Sequence, residues 1–207
     1  MKALIIADGT APSKELLEKH NDAQLVIAAD GGLKITETYG LVPDYLIGDF
    51  DSAGEAALMR LDKKTKLVRL AKEKNETDGM IAVDTALKAG AFQIVMLGAL
   101  GKRTDHAFAN LMLLKYAWNK GAALVLEDEY CEVSLATGET RLTGKRGQTV
   151  SVLPFGGSAT VSSDGALHYP MDSLFMSEGD PVGISNILEG TSSKLEIRGF
   201  TLVFKIK

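Results

Sequence analysis

Cysteine is almost missing from this chain: Cys131 is the only one in 207 residues. That excludes an intrachain disulfide and any CxxC pair for zinc or thiol exchange. Long apolar runs are missing too. Nothing approaches the roughly 20 residues needed to cross a bilayer. The apolar stretch from Ala3 to Ala7 is too short for the core of a signal peptide, so the chain is expected in the cytoplasm. Charge of one sign is scarce, since 23 basic against 27 acidic residues leave a net −4. Without a basic run the chain lacks the phosphate-neutralising surface of a nucleic-acid binder, and it gains little at an anionic membrane. What is present is ordinary globular material, 45% hydrophobic and 24% charged, long enough for one large domain or two small ones.

Two styles of sequence follow each other. Up to Glu127, short aliphatic runs (Ala3 to Ala7, Gln24 to Ala29, Tyr45 to Ile47, Lys66 to Leu70, Gln93 to Leu97, Ala122 to Leu126) alternate with amphipathic stretches. The clearest of these stretches are Thr77 to Lys88 and Thr104 to Trp118, the second stopped by Asn119-Lys120-Gly121. Strand–helix alternation with strands apolar throughout predicts a parallel sheet covered on both faces. Beyond Glu127 runs of four to seven residues are punctuated by glycine turns. Strands are expected at 131–135, 148–153, 158–163, 182–186, 194–198 and 200–206, in a small antiparallel sandwich or barrel. The boundaries read from this are an α/β domain over 1–127 and a β domain over 128–207.

In a parallel α/β sheet ligands bind outside the carboxyl ends of the strands. Asp30-Gly31-Gly32 follows the second run, and Gly48-Asp49-Phe50-Asp51-Ser52 follows the third. A loop through Lys74 to Thr77-Asp78 follows the fourth, and Gly98 to His106 the fifth. Acids, glycines and cations thus recur at successive strand exits, a combination suited to polyphosphate transfer. Asp49 and Asp51 stand two apart, so in extended backbone both carboxylates face one side and can share a hard cation with Asp78; magnesium takes one or two carboxylates together with substrate phosphates. Arg103, Lys74 and Lys102 offset phosphate charge, Arg103 with the fork that matches phosphate oxygens. Helix starts near Gly31, Ser52, Thr77 and Thr104 add free N–H groups. Plainer readings stand beside these. Ser52-Ala53-Gly54-Glu55 fits a capping box, Asp78 in a first helical turn is favoured by the dipole alone, and His106 with Asn110 is read as bracing the loop. Trp118 is read as packing, while His20 and His168 receive no role. Gly98 to Thr104 is not a P-loop, because Met96 and Arg103 stand where glycine and Ser or Thr belong.

These segments, in this order, resemble the thiamine pyrophosphokinase family: Ala29-Asp30-Gly31-Gly32, Gly48-Asp49-Phe50-Asp51-Ser52, Lys74-x-x-Thr77-Asp78 and Gly-x-x-Gly-x-Arg103-x-Asp105-His106. The resemblance implies a Rossmann-like parallel-sheet domain followed by a β-sandwich. It implies transfer of the pyrophosphoryl group of ATP to thiamine, with Mg2+, by a homodimer. By motif, Asp49, Asp51 and Asp78 hold the metal. Asp30, Gly31, Gly32, Ser52, Lys74 and Arg103 meet the nucleotide, and Asp105 faces thiamine or takes its hydroxyl proton. Leu167-His168-Tyr169-Pro170-Met171 makes Tyr169 the residue that stacks on thiamine, and Gly183-Ile184-Ser185-Asn186 places Ser185 and Asn186 at the same site. The sequence departs from the family at Lys102 and Ala166, where glycine is usual, at Asn75, where aspartate is frequent, and at Gly183, where serine is. A phosphotransferase for another small alcohol, a non-catalytic thiamine or nucleotide sensor, and a structural dimerisation module are the competing readings. Retained metal acids speak against the last two.

Overall fold

Lys-Ala-Leu-Ile-Ile opens the chain as strand β1 (Lys2–Ile6), buried from Ala3 onward. It lies centrally, paired in parallel with β2 (Leu25–Ala29) on one side and β5 (Gln93–Leu97) on the other. Beyond β2 come β3 (Tyr45–Gly48) and β4 (Lys66–Arg69); beyond β5 comes β6 (Ala123–Glu127), all in parallel. Residues 1–49, 61–70 and 75–207 of the computed structural model are described here; Asp51, Ser52 and Lys74 lie outside them. The inner strands read as unbroken apolar runs because both faces are covered. At the sheet edge β4 carries Lys66 and Arg69, and its Leu67 is exposed.

Helix α1 (Lys14–Glu18) starts at Ser13, whose hydroxyl accepts from Leu16 N–H, and α2 (Gly32–Tyr39) stops at Gly40. Leu16, Leu17 and Ile35 from these helices pack on Leu4, Ile6, Val95 and Leu97, one face of the sheet. Helices α3 (Asp78–Lys88) and α4 (Thr104–Asn119) serve crossovers in the opposite direction along the sheet, so right-handed connection puts them on the other face. Gly79 of α3 confirms this by lying close to Met96, whose side chain points opposite to those of Val95 and Leu97. Sequence order and spatial order part company beside β1: β2 to β4 run out on one side, then the chain returns to place β5 on the other. The crevice of an open α/β sheet forms at such a switch point. Trp118, expected to pack, is instead 47% exposed at the end of α4, because Leu113, Leu114 and Ala117 take the face turned to the sheet.

By its internal contacts the chain divides into two compact units, Met1–Glu129 and Tyr130–Lys207. The second unit is antiparallel and organised by two long strands, β7 (Cys131–Thr143) and β12 (Ser192–Ile206), which pair along their length with a register shift between Ile197 and Thr201. The first half of β12 also pairs with β9 (Ala159–Ser163), and the second half with β8 (Thr149–Pro154). Short strands β10 (Leu174–Met176) and β11 (Asn186–Ile187) add to β9 and β8. In its first half β12 alternates cleanly, with Ser193, Leu195 and Ile197 buried and Lys194, Glu196 and Arg198 exposed. The core of this unit includes Val150, Val152, Val161, Met176, Leu195 and Val203.

Two expectations are corrected here. The strands expected at 194–198 and 200–206 are one strand, since Gly199 (φ +98) makes a bulge rather than a turn. The strand expected at 182–186 is absent: Gly183 and Ser185 both have positive φ, so only Asn186 and Ile187 pair. Among the described residues no helix is long and apolar enough to cross a membrane.

Candidate active site

The loops leaving β1 and β5 are laced together by backbone. Ala7 N–H donates to Leu97 carbonyl at 2.9 Å, Gly9 N–H to Gly98 carbonyl at 2.6 Å, and Thr10 N–H to Leu100 carbonyl at 3.0 Å. Gly98 is required at this crossing: its φ is +66, and a Cβ there would lie 2.4 Å from the Ala7 carbonyl oxygen. The lacing forms one wall of a cleft of about 310 Å³ at the switch point. Asp8, Asp30, Asp78, Lys102, Arg103 and His106 supply its charged and titratable lining.

Each of these is placed by a local feature. Asp30 ends β2 in the left-handed region (φ +52), with its N–H donating to the Ile47 carbonyl at 2.7 Å. Asp78 is the first residue of α3, whose cap is the Thr77 hydroxyl accepting from Met80 N–H at 3.1 Å. Arg103 is the N-cap of α4 and has no side-chain cap bond. Two turns further along α4, Asn110 donates to the Ala99 carbonyl at 2.7 Å and braces the β5 loop.

Arg103 gives Nε and Nη2 to the Asp105 carboxylate at 3.2 and 2.6 Å. That hydrogen bond is the main reason Asp105 is held down at about pKa 2, and it raises Arg103 in turn. A carboxylate so placed stays ionised and is a feeble base at neutral pH. Lys102 has φ +49 and sends its Nζ to Asp8, 2.9 Å from the carbonyl and 3.3 Å from Oδ1.

Of the residues singled out in the sequence, Asp30, Asp78, Lys102 and Arg103 thus come together in one cleft. Asp49 follows β3, half-buried, and is not among the cleft's lining; Asp105 flanks the cleft through Arg103. Gly31 and Gly32 do not line it either. They let the start of α2 pass close to β1: a Cβ on Gly32 would meet the Ile6 carbonyl at 2.0 Å, and one on Gly31 the Asp8 carboxylate at 2.3 Å. Asp8 was missed in the sequence, although it stands directly after β1 and the strand-exit rule applied to the other strands points to it equally. Among the described residues no three His, Cys, Asp or Glu side chains stand together to hold a metal ion. The cleft's acids nonetheless supply oxygen donors from three strand or helix ends, the donor type a hard divalent cation takes.

In the second unit Tyr169 is exposed, with the His168 ring edge-on at 4.8 Å, and His168 Nδ1 lies 2.8 Å from Glu189 Oε1. Asn186 is 3% exposed, and its amide is spent on backbone. Its Oδ1 accepts from Tyr169 N–H at 3.0 Å and Ile187 N–H at 2.8 Å, and its Nδ2 donates to the Tyr169 carbonyl at 2.7 Å. It is therefore a clamp beneath Tyr169. Ser185 is exposed in the left-handed region, its N–H donating to the Ser151 hydroxyl at 3.0 Å.

Comparison with known proteins gives a consistent result. The family described as thiamin pyrophosphokinase, catalytic domain, matches residues 16–126. The thiamine pyrophosphokinase of Bacillus subtilis (strain 168) is 27% identical over 167 residues, spanning 79% of this chain and 78% of that one. Its crystal structure superposes with a TM-score of 0.86 at 23% identity, over 100% of this chain and 99% of that one. The thiamin pyrophosphokinase of Candida albicans does so with a TM-score of 0.86 at 16% identity, over 100% and 90%.

Proposed function

The chain belongs to the thiamin pyrophosphokinase family, which makes it an ATP-dependent diphosphotransferase, and we propose that the cleft at the exits of β1 and β5 seats the ATP polyphosphate for transfer to thiamine. The observation that supports this most is the meeting of Asp30, Asp78, Arg103 and two loop-to-helix starts in one cleft at the switch point. Backbone amides at the starts of α3 and α4 face the region where phosphate charge collects, and Arg103 matches its oxygens with a planar fork.

In the reaction, the hydroxyethyl oxygen of thiamine attacks the β-phosphorus of ATP. A new O–P bond forms, the bond from that phosphorus to the α–β bridging oxygen breaks, and AMP leaves with the electron pair. The products are thiamine diphosphate and AMP, and the hydroxyl proton passes to solvent. Positioning and charge neutralisation supply most of the rate, so a strong base is not required. Asp105 fits this scheme as the group that orients Arg103, not as a proton acceptor. Asp49 and Asp78, with Asp30 nearby and with Asp51, which lies outside the described residues, would hold Mg2+. Held there, Mg2+ would supply positive charge to offset that on the transferring phosphates.

We read the first unit as Rossmann-like and the second as a sandwich that presents Tyr169 as an aromatic face for the cationic thiazolium, with Asn186 holding it from below and Ser185 beside it. The enzyme would work as a cytoplasmic homodimer. The test is AMP release from ATP and Mg2+ with and without thiamine, with mass detection of the product. Thiamine-dependent AMP together with thiamine diphosphate is expected. ADP with thiamine monophosphate, or full turnover by Asp78→Asn, would overturn the reading.

A further inference from the structure

Two cations stand side by side in the loop from β5 to α4, and each is held by an acid. The two contacts are unequal. Arg103 makes two hydrogen bonds to a carboxylate two residues along its own chain. Lys102 reaches across to the β1 loop, where its closer contact is the Asp8 carbonyl at 2.9 Å and the carboxylate stands off at 3.3 Å. Both pairs are more than half exposed, the setting in which an ion pair is weak, so the number and length of the hydrogen bonds set the difference between them. The backbone adds a second observation. Lys102 holds φ +49, which residues other than glycine and asparagine rarely adopt. A strained lysine in a ligand cleft, aimed across it, is a candidate for function.

We propose that Lys102 is a phosphate-binding residue of this chain, parked on Asp8 while the cleft is empty and handed to the polyphosphate when the nucleotide enters. An ammonium carries three donors, so it keeps the Asp8 carbonyl bond and turns only the contact to Oδ1 toward a phosphate oxygen. Arg103, with both bonds to Asp105 well formed, is the harder of the two to release. Asp8 therefore competes with the nucleotide for Lys102. The inference rests on the cleft being the polyphosphate site, and the experiment separates the two ideas.

Inorganic tripolyphosphate, titrated calorimetrically with a chelator present, probes the phosphate contact without metal, thiamine or turnover. Lys102→Ala is expected to weaken its binding about tenfold, the loss of one charge-assisted hydrogen bond. Lys102→Gly is expected to weaken binding equally while raising the melting temperature, since glycine suits φ +49. Asp8→Ala is expected to tighten binding two- to fivefold. Unchanged binding in both Lys102 variants, no binding by the wild type, or weakening by Asp8→Ala as large as that by Lys102→Ala would overturn the proposal. The last result would make the pair a fixed strut. Failure of thiamine-dependent AMP release with these shifts intact would instead overturn the assigned reaction and leave the phosphate contact standing.

Discussion

Asp105 shows how one neighbour decides the chemistry of a side chain. As an acid beside a phosphate loop it reads as a proton acceptor, but the Arg103 guanidinium holds it at about pKa 2, below its ordinary 3.8. A depressed carboxylate contributes stability above its unfolded value and loses it as pH falls through 4 toward 2; with Asp105 fully solvated, that contribution is small. The carboxyl carbon of Asp105 should therefore titrate near pH 2 by NMR. Asp105→Asn should keep the shape of the rate profile between pH 5 and 9 while raising the KM for ATP severalfold through a disordered Arg103. An acidic limb, with the rate rising as pH rises, that is present in the wild type and disappears in the variant would restore Asp105 as the base. Asn186 carries the same lesson in the other unit. Its motif suggests a ligand contact, yet its oxygen and one of its N–H groups are taken by the Tyr169 and Ile187 backbone. Side-chain type is legible in a sequence, but the partner that occupies it is set by the fold.

Elements differ in how openly they announce themselves. Ala3 to Ala7 and Gln93 to Leu97 were readable because a parallel strand covered on both sides must be apolar at every position. Strand β12 was not, because Gly199 looks like a turn and only the continued pairing of Thr201 to Ile206 with β7 reveals a bulge. Val182 and Ile184 alternate like a strand, but their neighbours Gly183 and Ser185 take positive φ. The join between α1 and β6 was equally hidden. His20, just past α1, lies 2.7 Å from Glu127 Oε2 at the end of β6, and Lys19 lies 2.6 Å from Oε1. Glu127 is 1% exposed. Leaving a buried carboxylate oxygen without its hydrogen-bond partner typically costs about 1–3 kcal/mol. His20→Ala should accordingly lower the unfolding free energy in urea by about 1–3 kcal/mol, and a smaller loss would show that Lys19 suffices.

At the scale of the whole molecule, the core clusters among the described residues each stay within one unit. The cluster around Val150, Val161 and Leu195 contains nothing from before Ala136, and those around Ile6 and Ala28 nothing from after Leu97. The residue 130–207 fragment should therefore fold alone, with dispersed amide resonances and cooperative unfolding, at the lower stability expected of a small core. A collapsed, undispersed spectrum would show that its core needs the rest of the chain. The long β12 also sets an order of events. It is synthesised after β7, β8 and β9 yet pairs with all three. The ribosome therefore releases those strands without their common partner, and their exposed edges wait on it. The parallel sheet, complete once Glu127 has emerged, faces no such delay. In a cell, chaperone demand should concentrate on the interval between emergence of Thr143 and of Ile206.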